Sequence, residues 1–263
     1  MPPRTAYVSF QTGGAPPLTI AGRLSLPTRD EGAAPGPAVV ICHGSDGVDG
    51  RGEFYAPGLN AIGLATLEID MWAARGSARG AAARPRSPID TLPDAFGALR
   101  FLAVQPEIDP GRIGIMGFSW GGVVTLLCAM RRHRQAFGPD LPGFAAHAAN
   151  YPVCWAYGRV PALSLEDPTG APILLQTGEA DAYDSPGAGG KLAEALTAVG
   201  ASVTHIAHPA ASHGFDRDLP AQTIVDPFAY EGAGGPVLME FNPAAAGAAR
   251  EAVTTFFEGA LGA

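Results

Sequence analysis

Ala38-Val39-Val40-Ile41-Cys42 is the segment that most constrains the fold. Five apolar residues run without a break and stop at His43-Gly44. A strand with one wet face alternates apolar and polar residues, whereas an unbroken apolar run of this length reads as a strand covered on both faces, as in parallel sheets. The pattern recurs. Leu64–Ile69 is an apolar strand ending at Asp70, and Arg112–Met116, Pro172–Thr177 and Ser202–Ala207 read as further strands, with Phe144–Asn150 a weaker one. Between them, Glu53–Ile62, Pro88–Gln105, Ser119–Arg132 and Gly190–Val199 read as helices, and Ala244–Leu261 as a last amphipathic one. Thr5–Gln11 and Leu18–Leu26 alternate apolar with polar residues across Gly13-Gly14-Ala15-Pro16-Pro17, which predicts an antiparallel pair. The expected class is α/β: a mostly parallel central sheet of about eight strands with helices on both faces. No break in composition and no internal repeat divides residues 1–263, so one domain is expected.

In such a sheet, ligands bind beyond the carboxyl ends of the strands, so the residues that follow each strand carry the chemistry. Gly117-Phe118-Ser119-Trp120-Gly121-Gly122 follows the strand Arg112–Met116 and opens a helix. This is Gly-x-Ser-x-Gly in a strand–turn–helix context, the nucleophile elbow. Its glycines suit a turn so sharp that side chains beside the serine would collide with the neighbouring strand and helix. Ser119 is therefore the candidate nucleophile.

A serine hydroxyl needs a base to take its proton. His213 lies on a loop after the strand Ser202–Ala207 and is the candidate base. His43 belongs to the loop after Cys42, His133 and His147 precede the acid in the chain, and His205 and His208 sit within or at the end of a strand. Asp181, in the loop after Pro172–Thr177, is the candidate orienting acid, with Glu179 and Asp184 as near competitors. An oxyanion needs two backbone donors. Trp120 N–H follows the nucleophile directly. Ser45 N–H, in His43-Gly44-Ser45-Asp46-Gly47, is the expected second, with Gly44 or Asp46 as alternatives if the loop turns differently.

Several partner classes are excluded by charge and composition. The net charge is −8, and no Lys/Arg run is long enough to track phosphates, so nucleic acid is not an expected partner. Arg131-Arg132-His133-Arg134 falls at the end of the helix expected over 119–132, where cations complement the helix dipole. No apolar stretch is long enough to span a bilayer, and no apolar segment follows Met1-Pro2-Pro3-Arg4, so a cytoplasmic protein with no membrane partner is expected. The three cysteines form no Cys-x-x-Cys pair, which argues against a disulfide framework or a zinc ribbon. Cys42 and Cys128 read as buried thiols. His205 and His208, three apart on a strand, should face opposite ways, so no metal site is expected. No glycine-rich phosphate loop follows a strand, so no nucleotide cofactor is expected either.

Taken together, several segments resemble the dienelactone hydrolase family of α/β-hydrolases. They are His43–Asp49, Asp70–Gly76, Asp109–Ser119, Asn150–Cys154, Gly178–Asp181 and His208–Asp216, in family order over most of the chain. The resemblance implies a hydrolase without a separate lid domain, attacking esters or lactones through Ser119, His213 and Asp181. It also marks two departures. The namesake enzymes carry cysteine at the nucleophile and a glutamate at the position of Gly44. Serine and glycine here resemble the carboxylesterase-like branch instead. Arg75 near the site rim either steers an anionic substrate group or pairs with a carboxylate. Trp155, Tyr183 and Phe215 are candidate pocket aromatics, and Cys154 reads as a structural thiol. The expected partner is a small-molecule ester, and the expected state a monomer or homodimer. A peptidase or acyltransferase on the same residues, or a non-catalytic binding protein of the same fold, are the alternatives.

Overall fold

A computed structural model describes residues 2–14, 16–30, 32–76 and 84–262. Eight strands form the main sheet: β1 (Arg4–Gln11), β2 (Thr19–Leu26), β3 (Gly36–Cys42), β4 (Ala65–Asp70), β5 (Ile108–Phe118), β6 (His147–Asn150), β7 (Ile173–Gly178) and β8 (Val203–His208). Their order is β1-β2-β4-β3-β5-β6-β7-β8, with β1–β2 and β2–β4 antiparallel and the rest parallel. The β3–β4 connection runs one way across the sheet and the β4–β5 connection runs back past β3. The carboxyl ends of β3 and β5 therefore flank the switch point where a crevice opens.

The unbroken apolar run of β3 has the physical cause inferred for it. Ala38, Val40 and Cys42 pack into one core, and Val39 and Ile41 into the other, all almost fully buried. The first core is covered by α2 (Leu92–Ala103), α3 (Trp120–Cys128) and α5 (Ala188–Ala198), the second by α1 (Arg51–Ala61) and α7 (Pro243–Leu261). On α7, Ala245, Ala249, Val253, Phe257 and Leu261 recur at four-residue spacing and form the buried stripe. Asn242 caps its start by accepting from Ala245 N–H, and Gly262 ends it in the left-handed conformation.

Two expectations need correction. The helix expected over 119–132 breaks after Cys128, and α4 (Arg131–Phe137) begins as a separate helix. Ala129 C=O is taken by Thr169 N–H, and Arg131 N–H goes to Asp167 C=O, so a neighbouring loop replaces the helical bonds. The basic cluster thus starts α4 rather than ending α3. Arg131 and Arg132 donate to carbonyls of Pro168 and Ser164, tying down that loop, while Arg134 donates to Leu141 C=O in the segment after α4. The second correction is an addition between β8 and α7: a two-stranded antiparallel hairpin, β9 (Gln222–Asp226) and β10 (Gly235–Met239), with a four-residue turn, α6 (Ala229–Gly232), between its strands. Among the described residues, no helix is long and apolar enough to cross a membrane.

Candidate active site

Ser119 stands where β5 turns into α3, with φ 52° and ψ −110°, a conformation that a non-glycine residue holds only under constraint. The glycines around it are dictated by contact. A Cβ on Gly117 would lie 2.2 Å from Gly121 O, and one on Gly121 would lie 2.2 Å from Cys42 O. The elbow is thus wedged between β3 and its own helix, which lifts the hydroxyl above the sheet.

The structure brings the three sequence candidates together from three different strand ends. Ser119 Oγ lies 2.8 Å from His213 Nε2, and His213 Nδ1 lies 2.7 Å from Asp181 Oδ2. The other carboxylate oxygen of Asp181 accepts from Tyr183 N–H at 2.9 Å. Serine can therefore donate to Nε2 while Nδ1–H donates to the carboxylate, an arrangement able to carry a proton from the hydroxyl to the ring. The His213 and Asp181 side chains are almost wholly buried and Ser119 is partly so, which limits screening of the series by water. Of the competing acids, Asp184 accepts from Cys154 and Trp155 N–H, and burial lifts its carboxyl to about 6. Glu179 makes no such contact with His213.

The loop after β3 turns tightly at Gly44–Gly47, with Gly47 N–H on Gly44 C=O. Ser45 and Asp46 form its corner beside Ser119. Ser45 Oγ accepts from Arg84 at 3.0 Å and Ser45 C=O from Trp72 Nε1 at 2.9 Å. His43 Nε2 accepts from Met71 N–H, so Nδ1 carries the proton and donates to Gly44 C=O. Burial holds this ring near pKa 4 and therefore neutral at physiological pH. Trp120 follows Ser119 as the first residue of α3, whose opening N–H groups have no partner within the helix.

Beneath the imidazole lies a charge network that sequence reasoning missed. Arg51, 4% exposed, donates to both oxygens of Asp49 at 2.8 Å and to Tyr151 OH at 3.0 Å. Tyr151 OH in turn bonds Asp216, which also accepts from Tyr55 OH at 2.8 Å. Arg217 contacts Asp46 Oδ2 and Asp49 Oδ2, each at 2.9 Å. Burial pushes the Asp216 carboxyl up, outweighing the attraction of Arg51 and the two tyrosine bonds. The Tyr151 ring meets His213 edge-on at 5.1 Å. The network residues come from three separate segments, 46–55, 151 and 216–217, and the sequence alone does not say that the three meet.

The pocket candidates divide. Tyr183 does line the cavity, with its ring 4.2 Å from the His213 ring. Phe215 does not. It is fully buried in the second core, against Tyr151 and His208. Arg75 grips Asp94 on α2 through two bonds of 2.7 and 3.1 Å and donates to Met71 and Asp90 carbonyls, so its charge is spent on a carboxylate rather than free at the rim. Trp155 packs beside the α6 turn, its Nε1 on Phe228 C=O, away from the cavity. Cys154 is buried with its thiol on Pro152 C=O. His205 and His208 face opposite ways, towards Thr177 and Gln176.

The cavity at Ser119 measures about 30 Å³ and is walled by Ile224, Asp226 and Met239 of the β9–β10 hairpin. A roomier groove of about 500 Å³ runs between β2, β4 and α1, but its charges Arg23, Glu53 and Glu68 are paired with one another and it holds none of the groups above.

Comparison with known proteins agrees with this architecture. A dienelactone hydrolase-like promiscuous phosphotriesterase, P91, from metagenomic libraries superposes with a TM-score of 0.70 at 19% identity, covering 99% of both chains. A dienelactone hydrolase from Anabaena variabilis ATCC 29413 does so with a TM-score of 0.64 at 21% identity, over 99% of this chain and all of the other. At these identities the likeness is one of fold. In sequence, an uncharacterized protein of Mycobacterium tuberculosis (strain ATCC 25618 / H37Rv) is 32% identical over 99 residues, 37% of this chain and 33% of that one. The match thus spans about a third of the length of such relatives. The sequence model of the dienelactone hydrolase family matches residues 20–261, from β2 through α7, and the chain belongs to that family.

Proposed function

We propose that the protein is a serine hydrolase that cleaves carboxylic esters, lactones included, through an acyl-enzyme on Ser119. The observation that carries this reading is the unbroken hydrogen-bonded series Ser119–His213–Asp181 at a strained elbow. Ser119 Oγ attacks the carbonyl carbon as its proton passes to His213 Nε2. Asp181 holds the ring's tautomer and stabilises the imidazolium. The oxyanion accepts from Trp120 and Ser45 N–H, beside the positive end of α3. His213 then gives its proton to the departing alkoxide. Water, with His213 again as base, releases the acid and restores the serine. In this reading the whole chain is one catalytic domain.

The test is a panel of p-nitrophenyl esters and lactones against wild type and Ser119→Ala, with intact-mass analysis after a fluorophosphonate. Wild type should turn over at least one ester and gain one adduct, on Ser119, and the variant should do neither. An adduct on another residue, or full activity in Ser119→Ala, overturns the reading.

A further inference from the structure

Asp226 sits on β9, 1% exposed, at the wall of the cavity. Its carboxylate accepts from Arg84 Nη2 at 2.9 Å and Phe228 N–H at 2.8 Å, and shares the cavity wall with Tyr183, whose hydroxyl proton it helps to hold. Each of the first and last of these partners reaches a different part of the reaction. Arg84 donates its other nitrogen to Ser45 Oγ, and its guanidinium lies over the rings of Trp120 at 5.9 Å and Phe228 at 4.8 Å. It thereby touches both residues that the proposed mechanism assigns to the oxyanion. Tyr183 lays its ring on the His213 imidazole.

We infer that Asp226 is a positioning residue. Through Arg84 it holds the oxyanion loop and through Tyr183 the imidazole, so hairpin and reacting groups form one unit. The inference rests on the hydrolase reading above and deepens it.

The competing role, a staple that merely docks the hairpin, is already filled. Tyr230 N–H donates to Ala182 C=O and Glu231 N–H to Tyr183 C=O, and Ser212 Oγ bonds the Glu240 backbone. Val237 and Met239 form a small core with Tyr183 and Ala229. A buried ion pair contributes little net stability against an apolar replacement. What the pair supplies here is a fixed geometry. Ser45 is held at Oγ by Arg84 and at its carbonyl by Trp72, while Arg217 holds the neighbouring Asp46. Releasing Asp226 frees the first of these restraints and the tyrosine on the imidazole together.

The test uses the full chain with Arg84→Gln, Asp226→Asn, the double variant, and Tyr183→Phe, which keeps the ring and loses only the hydroxyl. Steady-state hydrolysis of p-nitrophenyl acetate, the rate of fluorophosphonate inactivation and the melting temperature are measured for each. In Arg84→Gln and Asp226→Asn, kcat and the inactivation rate should both fall about 10- to 100-fold, with KM within about threefold, the scale of a weakened oxyanion site. The double variant should be no worse than the weaker single by more than about threefold, because the two residues act as one link. Tyr183→Phe should lower kcat by less and leave melting unchanged. If kcat and inactivation stay within about twofold in all variants while only melting or KM moves, Asp226 is a staple and the inference falls. If acetate is not turned over but Ser119 is labelled, the labelling rates alone decide. If wild type is not labelled at all, the hydrolase reading fails and this inference with it.

Discussion

Replacing Arg51 with methionine removes one of two buried cations that face two buried carboxylates. Arg51, Arg217 and Asp216 are each at most 8% exposed, and the Asp49 side chain is 4% exposed. Asp49 keeps Arg217 beside it after the change. Asp216 keeps only tyrosine hydroxyls, and burial already lifts its carboxyl. It should therefore take up a proton in the folded state rather than remain an unpaired buried anion. Holding a carboxyl protonated at pH 7 against an unfolded value near 3.9 costs about 4 kcal/mol, and at pH 5 about 1.5 kcal/mol. The sign follows from linkage. The variant's folded carboxyl titrates above its unfolded value, so stability is intact below about pH 4 and is lost as pH rises. The lost bonds to Asp49 and Tyr151 add about 1–3 kcal/mol at every pH. Urea unfolding of wild type and Arg51→Met at pH 5, 6 and 7, followed by tryptophan fluorescence, reads the difference. The gap should widen from pH 5 to 7 by at most about 2–3 kcal/mol, the raised carboxyl of wild type taking up part of the same dependence, and Arg51→Met/Asp216→Asn should flatten it. A gap that is the same at pH 5 and pH 7 would refute the reasoning.

Gly121→Ala drives a Cβ to 2.2 Å from Cys42 O and 2.7 Å from His43 O, both backbone, so β3 and α3 must part. It should cost on the order of 1–3 kcal/mol or more and abolish fluorophosphonate labelling of Ser119, and wild-type melting with wild-type labelling would contradict the packing argument. Asp181→Asn should lower ester kcat on the order of 10³–10⁴-fold with KM little changed, because the amide favours the wrong imidazole tautomer, and a loss under tenfold speaks against that role. His147 is fully buried, and burial holds it near pKa 4. Its folded value lies below the unfolded one, so its contribution is whole above pH 6.5 and shrinks by up to about 3 kcal/mol as pH falls towards 4. His147→Leu should therefore lose less melting temperature than wild type between pH 7 and 4.5, and equal losses in the two proteins would contradict this.

The chain announces its parallel strands because burial on two faces leaves an unbroken apolar run, and it announces Ser119 because the elbow's glycines have no substitute. Asp181 and His213 were legible from chain order and from their distance past β7 and β8. The hairpin was not. Gln222–Asp226 and Gly235–Met239 are five residues each, bury one small cluster, and alternate too briefly to stand out. The break between α3 and α4 was hidden because the apolar spacing continues, and what ends the helix is a loop some 40 residues away in sequence. Arg75, Trp155 and Phe215 illustrate a further limit. Nearness to a catalytic loop in sequence does not say which way a side chain turns. Conversely Arg84 and Asp226, 142 positions apart, meet only through the fold.

The tight approach at Gly44 has a consequence for how such a site can evolve. A Cβ there would stand 2.8 Å from Arg51 Nη2, and that guanidinium is clamped by Asp49. The glutamate that the family resemblance associates with cysteine chemistry could therefore enter only if the Arg51 side chain shifts. Removing Arg51 first strands Asp216. Positions 44, 51 and 216 are thus coupled, and a change at one alters the cost of a change at the next. The room missing at position 44, a few tenths of an ångström, therefore ties the residue beside the Ser45 turn to the buried charges beneath the imidazole.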